Sequence, residues 1–141
     1  MDSNNVTEET IETYRIYSES DVMSAVIAIF SLAQNKGFSE TEVSEISTSV
    51  SELAMNIVKY AQEGVITIRS IEQLDQLQGI KVVATDFGPG IEDISAALEE
   101  HYSTGSSLGL GLPGVRRMVD EFEVESELGK GTKVTFIKWK T

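Results

Sequence analysis

Glu52 and Asn56 stand four residues apart in the stretch SELAMNIVKYA, and Ser49 and Glu45 continue the same polar stripe upstream. Side chains at i and i+4 stack on one side of a helix. A carboxylate and an amide so placed can share a site. The carboxylate can take a proton, and the amide oxygen is a hard ligand suited to Mg2+. The stripe runs along the edge of an apolar one (Ile46, Val50, Leu53, Ile57), so the spacing alone also fits a solvated helix edge.

A second candidate is TDFGPGI, residues 85–91. Asp86 closes a β-branched run, and Gly88 and Gly90 remove side chains just beyond it. This suits a planar ligand pressed against backbone, with one carboxylate accepting a hydrogen bond from its edge. A tight strand-to-helix turn uses the same residue types. Asp-Phe-Gly is also the magnesium-binding tripeptide of the large protein-kinase class, which further needs a Gly-rich loop, a strand lysine and a His-Arg-Asp loop in fixed order. The single histidine, His101, is followed by Tyr102 and Ser103, so that fold is excluded.

A third candidate is GSSLGLGLPG, residues 105–114. Its last six residues match Gly-x-Gly-x-x-Gly, the dinucleotide fingerprint. The context fails, since no predicted strand precedes it and too little chain follows. Unencumbered N–H groups leading into a helix at Pro113 still suit phosphate; a mobile surface loop fits the same letters. No P-loop exists, because Gly-Lys occurs only at Gly129-Lys130, without the required neighbours.

These residues must be positioned by a chain of 141 residues, long enough to bury about 70% of its unfolded surface in one core. Eleven basic against 23 acidic residues leave a net charge of −12. Such a chain repels nucleic acid and anionic membrane, so a polyanionic ligand must be held by backbone N–H groups, a metal ion or a few local cations. The absence of cysteine excludes disulfides, thiolate metal sites and a thiol nucleophile. The polar, acidic start is unlike a signal peptide, and the longest apolar run, AVIAIF, is too short to cross a bilayer. A soluble, cytoplasmic protein is expected.

The pattern predicts a polar extension over 1–10 and one domain over 11–141. Within it, a strand at 11–17 precedes a helix opening at Ser20-Asp21 and stopping at Gly37. Ser39 with Glu42 forms a capping box for the second helix, which Gly64 ends. Strands follow at 65–71 and 80–86, then a short helix at 91–100, a flexible loop at 101–113 and a helix from Pro113. Strands at 122–127 and 132–139 close the chain. The expected fold class is α+β, a two-layer sandwich with helices on one face of a mixed, largely antiparallel sheet.

The order Glu52-x-x-x-Asn56, Asp86-x-Gly88-x-Gly90, Gly105-x-x-x-Gly109-x-Gly111 and Gly131-Thr132 is more specific than any one piece. It resembles the Bergerat-fold (GHKL) ATPases over about Ile11 to Lys140. Within them it is similar to the anti-sigma-factor type of serine kinases, the stressosome switch kinases in particular, on the wording SELAMNIVKYA and STGSSLGLGLPGVRRMVDEFEVES.

The resemblance implies ATP and Mg2+ as cofactors. Asn56 would hold the metal, and Glu52 would be the general base. Asp86 would accept the adenine amino group, with Thr132 as a second contact and Gly88 and Gly90 admitting the ring. Gly105, Gly109 and Gly111 would form a lid. It further implies a serine/threonine-protein kinase acting on STAS-domain antagonist and scaffold proteins, and released to activate a PP2C-type phosphatase. A direct anti-sigma factor and a nucleotide-gated binding module are the alternatives. Two departures matter. Tyr60-Ala61 stands where such kinases often have His-Gly, and Ser106-Ser107 where some relatives place an arginine. A lid without a cation predicts slow transfer; Lys59 or Arg116 could substitute, though each also fits a solvated surface charge.

Overall fold

The chain forms five strands, β-branched in the central three and glutamate-rich in the outer two: β1 (Val6–Ile16), β2 (Gly64–Gln73), β3 (Gln78–Asp86), β4 (Glu121–Glu127) and β5 (Gly131–Trp139). The computed structural model describes residues 6–73, 77–99 and 111–141. The strands form one sheet in the order β1-β2-β3-β5-β4. Each of its ladders is antiparallel, so the mixed character expected does not arise among the described residues. The first strand begins at Val6, and Val6 to Thr10 pair with Arg69 to Gln73. Residues 6–10, expected as a polar extension, are therefore sheet. The three glutamates of β1 (Glu8, Glu9, Glu12) hid its strand pattern, and such charge is how edge strands avoid sticking to one another.

Two long helices cover the sheet, α1 (Glu19–Asn35) and α2 (Glu40–Asn56), followed later by the short α3 (Ile94–Ala97) and by α4 (Gly111–Met118). Ile66, Ile68, Ile80, Val82, Val134 and Phe136 point from the three central strands into one core shared with Ile29, Ile46, Val50 and Leu53 of the helices. All ten are at most 5% exposed. Burying such side chains contributes roughly 1.5–3 kcal/mol each. This apolar layer fixes α2 above β3 and β5, so the C-terminal ends of α2 and β3 come to the same end of the sandwich.

α2 starts as the capping box predicts. The Ser39 Oγ accepts the Glu42 N–H at 3.1 Å, and the Glu42 Oε1 accepts the Ser39 N–H at 2.9 Å. Its other end differs from expectation. The α-helix stops at Asn56 and widens into a single π turn, Ile57–Ala61, which Gln62 ends at a φ of +71°. π turns recur at functional sites.

Candidate functional site

A cavity of about 400 Å3 opens where these ends meet. Asn56, the last residue of α2, lines it together with Tyr60 of the π turn, Asp86, Gly90, Gly111 and Thr132. Ile57, Ala84, Ile91 and Val134 give it apolar walls. Four separated segments of sequence thus contribute to one cleft.

Asp86 is the last residue of β3, and its carboxylate is held by backbone. The Oδ1 accepts the Gly88 N–H at 2.9 Å and the Thr132 N–H at 3.2 Å. No described group bonds the Oδ2. One oxygen is therefore committed to fixing the side chain, and the other remains to accept from a ligand. Charge-assisted bonds of this kind are about twice as strong as neutral ones.

Two glycines let the surrounding turns close up. Gly90 has a φ of +82°, and a Cβ there would run into the Glu127 carbonyl. Gly131 has a φ of +99°, and a Cβ there would run into the Asp86 carbonyl. The Gly129 N–H also donates to the Pro89 carbonyl at 2.9 Å, so the segment after β3 and the β4–β5 turn are joined backbone to backbone. Gly88 has a packing role that the sequence did not suggest. It does not line the cavity; a Cβ there would lie 2.7 Å from the Ala61 Cβ, so its bareness lets this segment pack on the π turn.

The polar stripe of α2 is no solvated edge. Glu45 pairs with the Lys138 Nζ at 3.0 Å, and that ammonium also donates to the Met118 carbonyl at 2.9 Å, closing the end of α4. Ser49 is fully buried, with its hydroxyl unpartnered among the described residues. Glu52 is 8% exposed, bonds no described residue, and lies one turn before Asn56 without itself lining the cavity. The stripe is a polar seam, buried at Ser49 and Glu52 and half-buried at Glu45 and Asn56, on the helix against which α4 packs. Lys59 and Arg116 are exposed and do not line the cavity. Gly105 and Gly109, like Ser106 and Ser107, lie outside the described residues.

Ser126 of β4 went unrecognised in the sequence. Its Oγ accepts the Ile91 N–H at 2.7 Å, donates to the Gly131 carbonyl at 3.0 Å and lies 2.8 Å from the Thr132 Oγ1. The only signal was its alternation in FEVESE, which places it beside Thr132 once the register of β4 on β5 is known.

The electrostatics are one-sided. The described lining carries Asp86, Glu92 and Asp93 but no lysine, arginine or histidine. No group of three histidine or carboxylate side chains among the described residues could hold a metal alone. The amide of Asn56 does fit a Mg2+ that arrives with phosphate and water ligands, because Mg2+ keeps most of its shell and takes only one or two protein oxygens.

The family model described as the histidine kinase-like ATPase domain matches residues 18–138. The chain is 42% identical over 125 residues to the serine/threonine-protein kinase RsbT of Bacillus subtilis, covering 89% of this chain and 93% of that one. It is 34% identical over 133 residues to the anti-sigma F factor of Caldanaerobacter subterraneus, covering 80% and 91% of the two chains. Among solved structures, the RsbU and RsbW domains of a Mycobacterium tuberculosis protein superpose with a TM-score of 0.60 at 13% identity. That match covers 93% of this chain and 34% of that one, and it is a likeness of fold alone.

Proposed function

The chain belongs to the histidine kinase-like ATPase domain family and is an enzyme of the serine/threonine-protein kinase type; from that premise we propose that its cleft takes Mg2+-ATP and that it phosphorylates STAS-domain antagonist proteins. The observation that carries this reading is the carboxylate of Asp86, one oxygen tied down by two backbone N–H groups, in an apolar-walled cavity also lined by Asn56. Apolar walls suit the faces of a purine, and a free carboxylate oxygen suits its exocyclic amino group.

Asn56 offers its amide oxygen to the metal, which supplies neutralisation of the phosphate charge. That need is acute here, because three carboxylates line the cavity and no described cation does. Gly111 opens α4 at the cavity, and its unhindered backbone N–H suits a phosphate there. Glu52 takes the proton of the incoming serine or threonine hydroxyl as that oxygen bonds the γ-phosphorus and the bond to ADP breaks. Phosphoryl transfer of this kind depends mostly on positioning and charge stabilisation.

In this reading the kinase is held by its STAS partners, freed by phosphorylating them, and then engages a PP2C-type phosphatase in sigma-factor regulation. A cytoplasmic setting goes with it; among the described residues no helix is long and apolar enough to cross a membrane. A binding module gated by nucleotide, or a direct anti-sigma factor, is favoured by one observation, that Glu52 does not line the cavity. Labelled ATP and a STAS partner, incubated with the protein and with Glu52→Ala, separate the two. Label on a serine or threonine of the partner, lost with Glu52→Ala, supports the kinase acting on STAS proteins; equal background in both overturns it.

A further inference from the structure

A serine hydroxyl has one proton to give and two lone pairs to offer. Ser126 has three neighbours, and only one assignment satisfies all of them. The Ile91 N–H can only donate, so it takes one lone pair. The Gly131 carbonyl can only accept, so it takes the proton. The remaining contact, to the Thr132 Oγ1 at 2.8 Å, is then made with Thr132 as the donor. The proton of Thr132 is thereby directed away from the cavity, which Thr132 lines and Ser126 does not.

We infer that Ser126 is a specificity-determining positioning residue, which holds Thr132 as an acceptor and so tunes the cleft to a purine bearing an amino rather than a carbonyl group at its six-position. Asp86 presents a carboxylate oxygen and Thr132 presents lone pairs, so the polar corner of the cavity contains two acceptors and no donor from these side chains. An amino group meets that corner with its hydrogens. A ring carbonyl meets it lone pair to lone pair, and leaving such a group unpaired is what makes polar recognition selective. Ser126 is thus a polarity lock, acting through Thr132 without touching the nucleotide. The inference rests on the reading of the cleft as an ATP site.

The test compares Mg2+-ATP with Mg2+-ITP, which replaces the six-amino group by a carbonyl and turns N1 from an acceptor into an N–H donor, without adding the two-amino group of guanine. Dissociation constants for both are measured on the wild type, Ser126→Ala and Ser126→Thr. In Ser126→Ala the Thr132 hydroxyl is free to turn and donate, so the preference for ATP over ITP falls about three- to tenfold. Ser126→Thr keeps a hydroxyl at the same position and restores the preference. If Ser126→Ala does not fold, Ser126→Cys is read in its place, since a thiol keeps the bulk and is only a weak acceptor. Equal weakening of both nucleotides means that Ser126 merely braces the Gly90–Ile91 segment, and overturns the inference while leaving the ATP site standing. A wild type that binds neither nucleotide overturns both.

Discussion

The backbone N–H of Thr132 donates to the Oδ1 of Asp86 at 3.2 Å, and the two residues are direct partners in the β3–β5 ladder. The contact joins the end of one central strand to the start of the next. It is possible because Gly131 has no Cβ to strike the Asp86 carbonyl. The Asp86 carboxylate is therefore positioned by the start of β5 together with the Gly88 N–H just beyond β3.

Replacing Gly131 tests that arrangement. Gly131→Ala meets both a positive φ and a collision with backbone, so it costs about 2–4 kcal/mol. Gly129→Ala has a φ of +80° but nothing within 4 Å of the added methyl, so it costs about 1–2 kcal/mol. Urea unfolding of the two variants reads the difference. Equal losses would mean that the approach to Asp86 is not tight.

In the proposed reading, the acidic lining makes nucleotide binding metal-dependent. Chelating Mg2+ lowers ATP affinity by at least about tenfold, because the bare tetra-anion then faces three carboxylates. In Asn56→Ala most of that metal dependence is lost, and affinity stays low with or without Mg2+. Binding of a fluorescent ATP analogue, with and without chelator, checks both. An Asn56→Ala protein with the wild-type response to Mg2+ would remove Asn56 from the metal's shell.

Glu42 sets an acid limit on stability. Burial alone would raise its pKa, but hydrogen bonds from Ser39 and Thr141, through both backbone and hydroxyl groups, outweigh that and hold it below the usual glutamate value. A carboxyl whose pKa is lowered by folding adds stability above its unfolded value and loses it as pH falls through the folded one. Glu42→Gln is therefore less stable than the wild type by about 1–3 kcal/mol at neutral pH. The gap closes as pH drops below the normal carboxylate range. Thermal melts of both proteins across that range show the convergence; a gap independent of pH would mean that the charge of Glu42 is not what matters.

Much of the fold was legible. The capping box at Ser39 and the β-branched runs of β2, β3 and β5 report purely local preferences, and they appear where the pattern put them. β1 was legible only in its second half, because an edge strand is selected for charge and shows little apolar alternation. The π turn left no signal, since Ile57 and Tyr60 would suit an ordinary helix equally well. Asn56, Asp86, Gly90, Gly111 and Thr132 could be placed together through the family resemblance that their order along the chain carries. Ser126 could not, because its meaning depends on the register of β4 on β5, and the packing of Gly88 on Ala61 left no trace because the two are distant in sequence.

The central claim is that Asp86 anchors an adenine nucleotide in this cleft, and calorimetry of Mg2+-ATP binding to wild type and Asp86→Asn tests it most directly. Hydrogen bonds to charged groups contribute about 1.5–3 kcal/mol, so the amide variant should bind about tenfold to a hundredfold more weakly. Equal affinity in the two proteins would take Asp86 out of the pocket and contradict the account.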